Sequence, residues 1–153
     1  MGIDTSMIGR TRPGGTLLVT RSRLRHFAKA TGQTDPLFVD VETARRQGHR
    51  DLPVPPTFYF AVDFEMPDPF AYLTEAGVDL RAVLHAEQRF VYHRTAYAGD
   101  ELTSSSVVTD VFEKKGGELR FLVSQTPVVD VVGHTVVVMH HTVAVRTLPG
   151  AAA

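Results

Sequence analysis

The order of patterned segments along this 153-residue chain predicts an α+β fold, with one curved antiparallel sheet wrapped around a buried helix. Three observations predict it. Everything after residue 80 reads as β-strand, rich in Val, Thr, Phe and Tyr. Only one short strand precedes that block. Between the two lies an apolar helical segment, in which Phe58, Tyr59, Phe60, Ala61, Val62 and Phe64 leave almost no polar face. Such a helix must be covered on most sides, and the long strands are what the chain has to cover it with.

Each element has its own signal. Thr16–Thr20 is a short strand. Arg21–Ala30 follows as a helix, with Leu24, Phe27 and Ala28 spaced i, i+3, i+4, and Gly32 is placed to close it. Asp40 reads as the N-cap of a second helix through Gln47, with Glu42 in the first turn and Gly48 ending it. Pro55-Pro56-Thr57 delivers helix-starting geometry to the apolar segment, Thr57–Met66, which Pro67 and Pro69 stop. Phe70–Ala76 is a further short helix or turn. Val83–Arg94, Glu101–Glu113, Leu119–Val129 and Thr135–Arg146 are the long strands. Their connections, Ala98-Gly99-Asp100, Lys114–Gly117 and Asp130–Gly133, are short enough to make successive strands antiparallel neighbours. The early strand joins the same sheet. Residues 1–153 form a single domain, with Met1–Gly15 and Pro149–Ala153 loose.

Composition excludes several functions. A formal net charge of −1, without a clustered basic face, argues against nucleic acid as a partner. The absence of cysteine removes disulfides, thiolate metal sites and a cysteine nucleophile, and suits a cytoplasmic setting. No stretch approaches a membrane span, and the match of Gly2 and Ser6 to a myristoylation pattern lacks the basic patch that should follow. Phosphate-binding glycine loops and the serine-hydrolase elbow are missing. His140 and His141 point to opposite faces of a strand and cannot share one ion, so no metal site is assigned.

The chemistry concentrates in Thr31–Tyr59, a segment dense in Asp, Pro and Gly that joins the helices. Backbone N–H groups at the helix start after Pro56 are free to meet a ligand. Alternation along Val83–Arg94 puts Leu84, Ala86, Gln88, Phe90 and Tyr92 on one face, and His85, Glu87, Arg89 and His93 on the other. Gln88 is then an amide on an apolar face. It either bonds the backbone of the helix loops or faces a ligand.

Phe27-Ala28, Thr31-Gly32, Val39-Asp40, Ala44-Arg45, Gly48 and Pro55-Pro56-Thr57-Phe58 occur in an order that resembles the MaoC-like, (R)-specific enoyl-thioester hydratase and dehydratase family, in particular its FAS1-like dehydratase module. His85, Gln88 and Ala98-Gly99-Asp100 also fit. The resemblance implies a hot-dog fold paired into a double hot dog by dimerisation. It further implies an acyl thioester on coenzyme A or acyl carrier protein, with no other cofactor. Active members carry an Asp and, five residues later, a His; with Pro36-Leu37 fixing the register, Gln33 and Phe38 occupy those positions. Neither exchanges a proton near neutral pH.

Binding residues implied by the resemblance are Gln33, Asp35, Phe38, Pro56, Thr57, Phe58 and Gln88. Arg45 and Arg46 are either carrier-phosphate contacts or an ordinary solvated helix face. The chain then reads as the substrate-shaping partner of a catalytic hot-dog subunit. The alternatives are a self-sufficient homodimeric enzyme using Asp35, with Asp40 or His93 approaching, and an acyl-thioester binder or thioesterase. In the first, Asp35 precedes Pro36, where bracing the turn by an Asx-type bond explains it better.

Overall fold

The structure is a computed structural model and describes residues 2–147. Five strands, β1 (Thr11–Leu18), β2 (Val83–Tyr92), β3 (Glu101–Lys114), β4 (Leu119–Asp130) and β5 (Thr135–Arg146), form one antiparallel sheet in the order β1-β3-β4-β5-β2. The helices are α1 (Arg21–Thr31), α2 (Val41–Arg46), α3 (Phe60–Asp63) and α4 (Ala71–Thr74). Phe58, Tyr59 and Val62 from the α3 segment share one core with Leu17, Leu102, Val128, Val137 and Met139 from the sheet. This is the sheet-around-helix arrangement expected from the sequence.

The caps follow the side chains. The Thr20 hydroxyl accepts from the Arg23 N–H (3.2 Å), and Gly32 closes α1 in a left-handed conformation at φ 70°. The Asp40 carboxylate accepts from the Thr43 N–H (3.0 Å) at the start of α2.

α3 is shorter than the expected Thr57–Met66. Its regular part is one α-turn, and the flanking residues wind on i→i+3 bonds, from the Phe58 N–H to the Pro55 carbonyl through to the Glu65 N–H to the Val62 carbonyl. Prolines explain both ends. Pro55 and Pro56 bring no N–H, and Met66 precedes Pro67, which disfavours α geometry.

Three further expectations are corrected. First, residues 2–15 are anchored. Ile3 and Met7 are buried in a second core with Leu73, Val108, Leu122 and Val143, and β1 begins at Thr11, ahead of the expected Thr16. Pairing of β1 with β3 shifts between Pro13 and Thr16, where Gly14 and Gly15 lie against other backbone. The Pro149–Ala153 segment lies outside the described residues.

Second, β2 and β3 are not neighbours. β2 pairs with β5, at the opposite edge of the sheet from β1. β2 ends at Tyr92, so residues 93–100, bridged through Pro53 and Tyr97, form a crossing too long for a hairpin.

Third, β2 does not keep one alternation. Its register against β5 shifts between His85 and Glu87, inserting Ala86 as an extra residue. The shift moves His85, opposite Val143, onto the same face as Gln88, opposite His141. It leaves Leu84 on the other face, half exposed.

Candidate functional site

The Thr31–Tyr59 segment folds from its own polar side chains. The Gln33 side-chain oxygen accepts from the Asp35 N–H (3.0 Å), and the Asp35 carboxylate accepts from the Leu37 N–H (2.9 Å), capping a short 3-10 turn over Pro36–Phe38. Gln33 and Asp35 are exposed, while Phe38 is half-buried. Leu37 packs on the main core, as does Phe27, whose ring meets the edge of Phe58 at 5.3 Å. Pro56 and Thr57 are exposed at the start of the helical segment, and the Tyr92 hydroxyl donates to the Pro56 carbonyl (2.9 Å). Among the described residues the Thr57 N–H has no partner. An open groove floored by Phe27, Ala30, Phe58 and Ala61, about 640 Å³, runs past this start, with the Arg23–Glu65 ion pair at its side.

A second, more enclosed cavity of about 440 Å³ lies between α3, α4, β2 and β5. Phe60, Phe64, Phe70, Leu80, Val83 and Val143 make its apolar wall. Its other lining is polar. The Arg12 guanidinium grips the Asp63 carboxylate (2.6 Å), the Ser104 hydroxyl donates to the same carboxylate (3.2 Å), and Arg12 lies 4.9 Å over the Tyr72 ring. Asp63 is the one buried charge of the apolar segment, Glu65 being exposed, and a buried charge needs such partners. His141 is only 6% exposed, and desolvation, opposed by Asp63 and assisted by Arg12 and His85, pushes its pKa down to about 4. It is therefore uncharged near neutral pH. His85 meets the Gln88 side-chain oxygen at 3.2 Å, and the Gln88 amide nitrogen is buried without a partner.

The sequence-derived residues thus fall into two groups. Gln33, Asp35, Phe38, Pro56, Thr57 and Phe58 belong to the loop and the helix start. Gln88 belongs beside the enclosed cavity, and its partner is a histidine side chain in place of the expected loop backbone. Arg45 and Arg46 join neither. Arg45 pairs with Glu42 (3.0 Å), and Arg46 donates to the Thr43 hydroxyl (2.7 Å), both on the exposed side of α2. Asp40 serves as the cap, and His93 lies exposed beside Pro56 in a shallow depression. His140 and His141 face opposite sides of β5, as expected. Among the described residues no three His, Asp or Glu side chains are grouped to hold a metal, and no helix is long and apolar enough to cross a membrane.

Sequence reasoning missed Arg12, Asp63, Tyr72 and His141. Arg12 sits in the segment read as loose, and His141 was weighed only as a metal ligand. Asp63 carried a usable signal, because a carboxylate between Val62 and Phe64 in so apolar a segment demands a cation elsewhere in the chain.

Comparison with known proteins adds to this geometry. A family model described as "FAS1-like, dehydratase domain region" matches residues 6–139. A UPF0336 protein of Leifsonia xyli subsp. xyli is 38% identical over 145 residues, covering 94% of this chain and 96% of its own. Among solved structures, the C-terminally truncated HadBC (3R-hydroxyacyl-ACP dehydratase) complex of Mycobacterium tuberculosis matches with a TM-score of 0.77 at 22% identity, over 92% of this chain and 99% of that one. A MaoC-like dehydratase matches with a TM-score of 0.80 at 24% identity, over 93% of this chain and 43% of that one. At these identities the two structures speak for the fold.

Proposed function

Because the chain belongs to the FAS1-like dehydratase family of MaoC-like hot-dog proteins, we propose that it is the acyl-thioester-binding, non-catalytic subunit of an (R)-specific 3-hydroxyacyl-thioester dehydratase or enoyl-thioester hydratase. One observation carries this reading. By the resemblance, Gln33 and Phe38 fall where active members of the family carry Asp and His, and the only carboxylate in that loop, Asp35, is committed to capping its own turn.

Interconverting an enoyl and a 3-hydroxyacyl thioester needs a base that moves a proton to or from water. It also needs a proton exchanged at the α-carbon and fixed N–H donors for the enolate oxygen. An amide and a phenyl ring do none of the proton transfer. What this chain offers is binding surface: the apolar groove over Phe27, Phe58 and Ala61, and, one residue before Phe58, a Thr57 N–H without a partner among the described residues. The acid and base come from a partner hot-dog subunit in this reading. Its support is that the HadBC dehydratase, similar in fold, is a complex, and that β2 here pairs on one side only among the described residues.

The test is hydration of short and long trans-2-enoyl-CoA, followed by loss of enoyl absorbance. The purified chain alone is expected to show no turnover, and activity is expected when a catalytic hot-dog partner is added. Turnover by the lone chain overturns the reading and moves attention to Asp35.

A further inference from the structure

We propose that the enclosed cavity between α3 and β5 receives an acyl tail bearing a neutral oxygen function, a hydroxyl or a carbonyl, held by His141 and Tyr72. The proposal rests on the acyl-thioester reading above and adds the class of acyl group.

Hydrogen-bond satisfaction is the first observation. His141 is more than nine-tenths buried, lines the cavity, and its side chain makes no hydrogen bond among the described residues. An inward strand position flanked by Met139 and Val143 suits an aliphatic side chain, and an imidazole there, whose ring nitrogens are not among the sealed, partnerless atoms, opens its polar edge to the cavity. Tyr72 lines the same cavity, and among the described residues its hydroxyl has no partner either. A plain alkyl tail leaves both groups unsatisfied.

Charge decides the chemistry of the oxygen. Arg12 and Asp63 neutralise each other at 2.6 Å, and Asp63 also takes the Ser104 hydroxyl. Among the described residues, the cavity lining therefore holds no unpaired arginine or lysine for a carboxylate tail. An uncharged imidazole presents one N–H donor and one nitrogen acceptor, and a phenol adds a donor. Such a set answers a hydroxyl or a carbonyl. The shape agrees: Phe60, Phe64 and Phe70 give a wall of ring faces and edges, and about 440 Å³ lies within the range of small-molecule pockets. Gln88, with its free amide nitrogen, buttresses His85 at the same face.

The experiment compares 1-tetralone with tetralin, two rings of nearly equal size that differ by one carbonyl, on the full chain. Binding is read by titration while the His141 ring nitrogens are followed by NMR. The expected result is about tenfold tighter binding of 1-tetralone, the scale of one to two net hydrogen bonds, with a shift of the His141 resonance. His141→Phe is expected to erase the preference, His141→Gln to retain part of it, and Tyr72→Phe to reduce it in a folded protein. Equal affinity for the two compounds, a preference that survives both His141→Phe and Tyr72→Phe, or a cavity that keeps its water and binds neither compound overturns the proposal. Because the probes carry no thioester, these outcomes are independent of the enoyl-CoA assay. Either reading can fail alone.

Discussion

Asp63 and His141 are the two buried ionisable residues of the enclosed cavity, and they solve burial differently. Asp63 is met by the Arg12 guanidinium and the Ser104 hydroxyl. His141 has no counter-ion in contact and gives up its charge, its pKa falling from 6.5 to about 4 through desolvation. The consequence for stability has a definite sign. Between those two values the unfolded chain binds a proton that the folded chain refuses, so acidification favours unfolding. Stability present above pH about 6.5 is lost as the pH falls toward about 4, and below that this residue takes nothing more. The full loss is on the order of 3 kcal/mol. Urea unfolding across this range is expected to show the decline, and His141→Gln is expected to flatten it. Asp51, whose carboxyl the Arg21 guanidinium holds down at about 2, acts in a lower window and does not confuse the reading. None of this was legible in the local sequence. An adjacent His-His pair says that one ring points inward, but not that Arg12, from the far end of the chain, shares its cavity.

At the scale of elements, the sequence was most legible where one side chain decides one boundary. Asp40 caps, Gly32 and Gly48 terminate, and the alternation of β5 gives its limits, because each signal acts within a few residues. It failed where the decision was made by another element. Ala86 has no local reason to bulge; the register between β2 and β5 imposes it, and with it the side on which His85 lies. Likewise the chain at Pro13–Gly15 looks like a loose leader until α3 is set against it. A Cβ on Gly15 would stand 2.2 Å from the Val62 carbonyl and 2.7 Å from the Glu65 Cβ, so β1 and α3 touch backbone to backbone there. Gly15→Ala is therefore expected to cost about 2 kcal/mol or more, as overpacking against an unyielding neighbour. A lowered urea midpoint at unchanged slope checks it. In the candidate loop, the sequence read the bracing of the turn by Asp35 correctly, as a local fact. It could not read that Gln88 lies apart from that loop, because that separation depends on the whole sheet.

Across the whole molecule, the sheet exposes β2 at one edge, and an edge strand left bare invites pairing with another chain. Leu84, half exposed on that strand, is a natural contact for a partner sheet. Leu84→Asp is expected to weaken self-association or partner binding about tenfold or more, while circular dichroism remains that of the folded chain. Sedimentation velocity over a concentration series measures it, and an unchanged distribution excludes this edge as the interface. The strand order also separates what is close in space from what is close along the chain. β3, β4 and β5 follow one another through tight turns, whereas the Thr16–Thr103 contact of β1 with β3 closes 87 residues. Loop closure makes that second pairing more expensive by roughly 2–3 kcal/mol of chain entropy. The meander therefore assembles first, and β1 arrives on a surface already built. Defects at the β1–α3 contact then appear in the rate of unfolding and leave the rate of folding nearly untouched. The strand carrying Arg12 into the cavity is the last to be laid down and the first to leave.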